Sequence, residues 1–320
     1  TGRISIVDLD GNRRTLLDGM PSGINDVDEP SGPAGLFIRG RTLYVVIGIG
    51  DSLLPGPVPN PNLSSPIFSS VLAVHISADV EKNTTGFALT SANQQALAAG
   101  QKVTLSNGAG EKLTVELIAN FPDSTPDPTS PSGLRNTNPF DLVVFADKVY
   151  VTDGGQNSLW QVDIPTGAFS ILATFPQVAN QLPFGPPFIE AVPTGIAYSD
   201  GQLLVTLFKG FPFPPDASVV EQVDPLTGTH TSFISGRTAA IDVLAVNEGG
   251  DTDHLVLQFA TGAILSGPGL LLRFETPGSP PTILADCLLT PTSMALDEKT
   301  GTLYVTEVAT GRVVAIPVAP

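Results

Sequence analysis

Short apolar runs with alternating polar positions recur along the chain, separated by Gly, Asp, Asn and Pro. The segment Asn138 to Phe175, NPFDLVVFADKVYVTDGGQNSLWQVDIPTGAFSILATF, holds four of them. Val, Ile, Leu and Tyr favour pleated strands, while the punctuating residues supply turn geometries, so the segment predicts four consecutive strands. The same order returns between Val192 and Ser235, again from AAIDVLAV through PTILADC, and again in TPTSMALDEKTGTLYVTEVATGRVVAIPVA. Hairpins written ADK, SDG and DEKTG join first and second strands, and DIPTG and DPLTG join third and fourth strands.

An earlier repeat begins GPAGLFIRGRTLYVVIGIG at Gly32 and is lengthened by two insertions, 51–66 and 79–112, both expected within one blade. The second contains SANQQALAAG, which predicts a short surface helix followed by a hairpin. The N-terminal RISIVDLDGNRRTLLDG matches only the third and fourth strands of a repeat, and GRVVAIPVA ends the last repeat after its third strand. A four-part cycle recurring about every 50 residues is the signature of propeller blades rather than of a β-sandwich. The expectation is all-β: a single domain over 1–320, folded as a six-bladed β-propeller of four-stranded antiparallel blades, one of them incomplete. Closure with five blades is the alternative. A missing N-terminal peptide or a companion chain would then complete the partial blade, since an unfilled one leaves strand edges unpaired.

Composition narrows the partners. With 31 acidic against 15 basic residues, the net charge of −16 opposes binding to nucleic-acid phosphates and anionic lipid surfaces. No apolar run approaches the roughly 18 to 20 residues that span a bilayer. Cys287 is the sole cysteine, which excludes an internal disulfide and a thiolate cluster, and ILADCLL reads as a small buried hydrophobe. Asn62-Leu63-Ser64 and Asn83-Thr84-Thr85 fit the glycosylation acceptor pattern and point to an extracellular or secretory compartment.

Several phrases carry a resemblance beyond blade count: NPFDLVV, VYVTDGGQNSLWQVD, VPTGIAYSDG, LFKGFPFPPDASVVEQVDP and RISIVDLDGNRRTLLDG. Together they resemble the ScyD/ScyE family, a group similar to secreted NHL and SMP-30-like propellers. The resemblance implies an exported six-bladed propeller without an assigned reaction. Similar propellers include calcium- or other divalent-metal-dependent ester and lactone hydrolases whose Glu, Asn and Asp ligands converge on the central opening. Transferred by position, that set falls on Asn138 or Asp141, Asp242 and Glu307, and in the hydrolase reading Asp141 or Asp242 would position an attacking water while Asn138 and Glu307 complete the polar shell.

Radial assembly would bring the starts of successive inner strands toward one channel, and Asn138, Asp141, Glu190, Thr194, Asp242, Ser293 and Glu307 all lie near such places. Their oxygens suit Ca2+ better than Mg2+, which demands a tighter octahedron. The competing reading gives Asp and Asn the ordinary task of binding turn amides. Glu190, Thr194, Lys209, Phe211 and Phe213 are the candidate ligand-binding residues. Lys209 would hold an anionic ligand or balance a nearby carboxylate, and the two phenylalanines would form an apolar lip or pack in the core.

The run Asp153 to Asn157 reads as a tight glycine-enabled turn, and Trp160 as a packing residue. His75, His230 and His254 fall in different blades, which opposes a three-histidine zinc site and suggests surface or locally bonded imidazoles. Neither a nucleophile elbow nor a phosphate-binding glycine loop is present. Two function classes follow: a noncatalytic propeller that binds a small molecule or protein, or a divalent-metal-dependent hydrolase of a small ester or lactone working from the channel.

Overall fold

The computed structural model describes residues 2–56, 58–78, 80, 86–128, 130, 132–248 and 250–318. Its six principal sheets contain three, five, four, four, four and three strands in chain order, a six-bladed β-propeller arrangement with blades of mixed strand count. The chain divides into two compact units, 1–156 with 161–170, and 157–160 with 171–320. Among the described residues no helix is long and apolar enough to cross a membrane.

In the first unit, Gly2–Val7 pairs antiparallel with Arg13–Met20, as the RISIVDLDGNRRTLLDG pattern predicts. The five-stranded sheet contains Pro33–Arg39, Thr42–Ile47, Ser70–His75, Lys112–Asn120 and Val103–Ser106 in that spatial order. The second insertion forms the helix Ser91–Ala98, with Thr90 and Asn93 exchanging side-chain and backbone bonds in a capping box, followed by the Val103–Ser106 and Lys112–Asn120 hairpin. It is not confined to one blade, however. Phe87–Ala88 pairs in parallel with Leu17–Asp18, giving the N-terminal sheet its third strand. Burial drives this exchange, because Leu16, Leu17, Phe87, Leu89 and Leu97 enter one cluster with Leu72, Val74 and Leu113. Each such side chain contributes about 1.5–3 kcal/mol relative to exposure. Gly19 (φ 69°) permits the approach, since a Cβ there would stand 2.1 Å from the Leu89 carbonyl oxygen.

The next four-stranded sheet runs Pro139–Phe145, Lys148–Asp153, Ser158–Asp163 and Phe169–Thr174. In the second unit, Pro193–Ser199, Gln202–Leu207, Ser218–Val223 and His230–Arg237 form a four-stranded sheet in sequence order. Ala240–Glu248, Asp251–Gln258, Gly269–Phe274 and Thr282–Leu288 form another. Pro291–Asp297, Thr302–Glu307 and Arg312–Pro317 form the last, which ends after its third strand as expected. Cys287 is exposed rather than buried. It sits on the last strand of its sheet, Thr282–Leu288, where only Leu288 is buried.

A single irregularity repeats near the start of every first strand. Register shifts fall between Pro33 and Leu36, Pro139 and Asp141, Pro193 and Ile196, Ala240 and Asp242, and Pro291 and Ser293. A bulge at a fixed place re-aims one side chain per sheet, which makes this row the natural origin of any site built on the strand starts.

Candidate functional site at the strand starts and the Lys209 loop

Gly and Asp occupy the bulge row in complementary fashion. In the first unit, a Cβ on Gly35 would meet Asp141 Oδ1 at 2.4 Å and Asp141 Cα at 2.6 Å. In the second, a Cβ on Gly195 would meet Asp242 Oδ1 at 2.4 Å and Asp242 Cα at 2.5 Å. Each glycine therefore leaves the room its aspartate fills. Buried Asp242 accepts the Val243 amide on Oδ1 at 2.8 Å and the Met294 amide on Oδ2 at 2.7 Å, so one carboxylate ties its own strand to the first strand of the following sheet. Asp141 takes the same bulge position, its amide donating to Thr152 Oγ1 at 3.1 Å. Thr206 Oγ1 lies 3.2 Å from the Gly195 carbonyl, 3.1 Å from that of Ile241 and 2.9 Å from Thr194 Oγ1. Thr306 Oγ1 donates to the exposed Ser293 carbonyl at 3.3 Å.

One register step away, the ends of the second strands hold the approaching chain. Asp153 Oδ1 accepts the amides of Asn138, Gly155 and Gln156 at 2.8, 3.0 and 3.0 Å, the tight turn expected for this run. Asn138 Oδ1 accepts the Ile49 amide at 3.2 Å. Glu307 Oε1 accepts the Leu289 amide at 2.7 Å, while Oε2 meets Arg312 Nη2 at 2.6 Å and Thr310 Oγ1 at 2.9 Å. The Leu289 amide, with help from Arg312 and Thr310 and against the cost of burial, holds the Glu307 carboxyl below the ordinary carboxylate range.

Tested against a divalent cation, these donors do not fit as arranged. Both Asp242 oxygens are taken by backbone amides, and a metal on Glu307 would have to displace the Arg312 guanidinium. Among the described residues, no group of three or more His, Cys, Asp and Glu side chains is placed to hold a metal ion.

The ligand-binding candidates behave differently. The amides of Phe208, Lys209 and Gly210 donate to the carbonyls of Val192, Ala191 and Glu190, each at 3.0 Å, fastening the loop after Gln202–Leu207 to the segment before Pro193. Glu190 is bound by Asn157 Nδ2 and, at 2.5 Å, by Gln177 Nε2. Thr194 is buried against Thr206. Lys209 is 5% exposed, and among the described residues no carboxylate lies within ion-pair distance of its amine. Burial lowers its proton affinity, partly offset by the more distant charge of Glu221.

Lys209 (φ 72°), Phe213 (φ 54°) and Asp216 (φ 58°) all hold left-handed backbone conformations. Phe211 is half exposed, and the rings continue through the partly buried Phe213 and Phe208 to Phe259 with centroid spacings of 6.1, 5.9 and 5.9 Å.

The other residues picked out by the sequence are framework or surface. Trp160 is buried. His75 lies between Thr42 Oγ1 at 3.0 Å and Glu116 Oε1 at 2.8 Å, and His230 lies 3.0 Å from Glu221 Oε2. His254 departs from the expected bonded or surface imidazole: it is buried, and among the described residues its Nδ1 finds no hydrogen-bond partner. Asn62 is exposed, while Asn83 lies outside the described residues.

The strand order and the repeated bulge define a β-propeller. No family profile matches the chain. No curated protein matches it. Among solved structures it is similar to a chain of "Crystal structure of Nidogen/Laminin Complex", at 10% identity and a TM-score of 0.48, over 99% of this chain and 90% of that one.

Proposed function

We propose that the chain is an exported, noncatalytic binding propeller of the ScyD/ScyE kind, whose Lys209 loop takes a ligand with an anionic head and an apolar body. The observation carrying this reading is the buried Lys209 side chain, for whose amine no carboxylate lies at ion-pair distance among the described residues. A buried ammonium is costly until it gains a counter-charge, and a ligand carboxylate would supply one. The aromatic row from Phe211 to Phe259 offers the apolar body a surface beside it. Asp242 and Glu307, in contrast, serve neighbouring amides and Arg312.

Calorimetric titration of metal-depleted protein with a panel of arylcarboxylates tests the proposal. Saturable binding that Lys209→Met weakens at least tenfold is expected. Absence of binding across the panel would overturn the Lys209 ligand site, and reproducible metal-dependent turnover of a small ester or lactone would overturn the noncatalytic reading in favour of the hydrolase.

A further inference from the structure

In the first unit, the face of the five-stranded sheet that packs on the N-terminal sheet is covered on one part and bare on the rest. Val45 and Leu72, paired across Thr42–Ile47 and Ser70–His75, are buried in one cluster with Ile4 and Leu17 of the N-terminal sheet. Leu36, paired with Val45 in the next strand over, is 50% exposed, and Ile38 beyond it is 57% exposed. The equivalents of Leu36 in the other first strands, Leu142, Ile196, Val243 and Met294, are all buried.

The second unit contains the covered form of this row. There Val243, Val256 and Leu272 are paired in the same way, and one apolar cluster joins them to Ala197, Leu204, Val220 and Ile234 of the preceding sheet. Val220 and Ile234 pair across a third and a fourth strand, as Ile4 and Leu17 do in the N-terminal sheet. Ala197 and Leu204 pair across a first and a second strand. These two have no counterpart in the N-terminal sheet, where Gly2–Val7 pairs with Arg13–Met20 and, among the described residues, with no second strand. The half-sheet nevertheless sits in its ordinary place. A Cβ on Gly2 would stand 2.6 Å from Pro33 Cδ, and one on Gly269, at the start of the third strand of a complete sheet, would stand 2.4 Å from Pro291 Cδ. Gly2 and Pro33 also line an open cavity of about 530 Å³. Every described hairpin of first and second strands is already paired within its own sheet, so neither this chain nor an intact second copy has one to lend.

We propose that the open edge of Gly2–Val7 and the bare Leu36 and Ile38 side chains take a β-hairpin from a companion polypeptide, which supplies the first and second strands of the N-terminal sheet. Its second strand runs antiparallel to Gly2–Val7 and pairs with the open edge, as second and third strands do in the other sheets. A small and a branched apolar residue, in the places of Ala197 and Leu204, cover Leu36. The proposal is independent of the Lys209 loop, which belongs to the other unit.

The probe is a synthetic peptide with the sequence of Pro193–Leu207, a hairpin of first and second strands from this chain, and its control carries Ala197→Glu and Leu204→Glu. Titrated into the full chain, the probe should bind saturably. Hydrogen exchange at the Gly2–Val7 amides that do not face Arg13–Met20 should slow at least tenfold in the complex, and the control should do neither. Leu36→Glu changes an exposed side chain, so this variant should keep the melting temperature and lose at least tenfold in affinity for the probe. The same hairpin tethered ahead of the chain by a Gly-Ser linker separates the sources. Binding of the free peptide supports a companion polypeptide, whereas protection of Gly2–Val7 only in the tethered form would assign the place to a segment of the same polypeptide and overturn the proposal. No protection in either form, equal binding of the control, or full affinity in Leu36→Glu would each overturn it too. Self-association of the chain alone that Leu36→Glu abolishes would give the face to a second copy instead.

Discussion

Asp242 and Lys209 are both buried charged residues in the same unit, yet their surroundings are opposite. Every oxygen of the Asp242 carboxylate meets a backbone amide at 2.8 Å or less, and a glycine in the preceding sheet makes room for it. Lys209 has a left-handed backbone, a phenylalanine on its N-terminal side and no ion pair among the described residues. Burial of a charge does not by itself mark function. What separates the two is whether the fold supplies the counter-partner, and here it does so for the aspartate and withholds it from the lysine.

The largest expected effect lies on the aspartate side. Asp242→Ala would leave the Val243 and Met294 amides without acceptors, at about 1–3 kcal/mol each. Gly195→Val would force a side chain into the space of Asp242 and should cost about 3 kcal/mol or more. Denaturant unfolding measures both, and a loss under about 1 kcal/mol in either would remove the framework role.

Acid should reveal Glu307 next. Its carboxyl titrates lower in the folded chain than its ordinary value of 4.5, so the unfolded state binds the proton first. The stabilisation is complete above that ordinary value and is lost as pH falls through the folded value. Glu307→Gln should flatten this part of the stability profile. An unchanged acid limb would show that the Leu289 and Arg312 contacts do not persist in solution.

Lys209→Met should have a smaller effect of opposite sign, leaving stability unchanged or raising it by about 1 kcal/mol. The folded amine titrates below its ordinary value of 10.5, so its penalty is full below the folded value and fades as pH rises toward 10.5. The Met variant should lack that upward slope. A clear loss of stability at neutral pH would mean that the lysine has a structural partner.

Much of the frame was legible in the residues. Turn phrases such as SDG and DPLTG located the hairpins because their geometry is local, and the strand pattern placed RISIVDLDGNRRTLLDG in a partial blade. The parallel strand Phe87–Ala88 was not legible, because two residues carry no period and their pairing depends on a distant apolar cluster. Set side by side, PAGLF, PFDLV, PTGIA and AIDVL do show Gly and Asp at one shared position, a signal for mutual packing that reads equally well as a ligand set until distances are known. His254 was hidden for another reason. From Asp253 to Gln258 every residue is buried, so the two faces of that strand cannot be told apart by alternation.

Cys287 gives the smallest effect. Because it is exposed, a thiol reagent should modify the native chain to one equivalent without changing its melting temperature. Protection until unfolding would place Thr282–Leu288 in a packed interface.

The most direct test of the contrast between the two buried charges is an NMR titration of the lysine ε-carbons, with and without a bound arylcarboxylate. One signal, assigned to Lys209 by its loss in Lys209→Met, should titrate below the others in the free protein and return toward the ordinary range when the carboxylate binds. If all lysines titrate together in the free protein, or if the carboxylate leaves the Lys209 signal unmoved, Lys209 is not the unpaired charge that distinguishes its loop from the Asp242 framework.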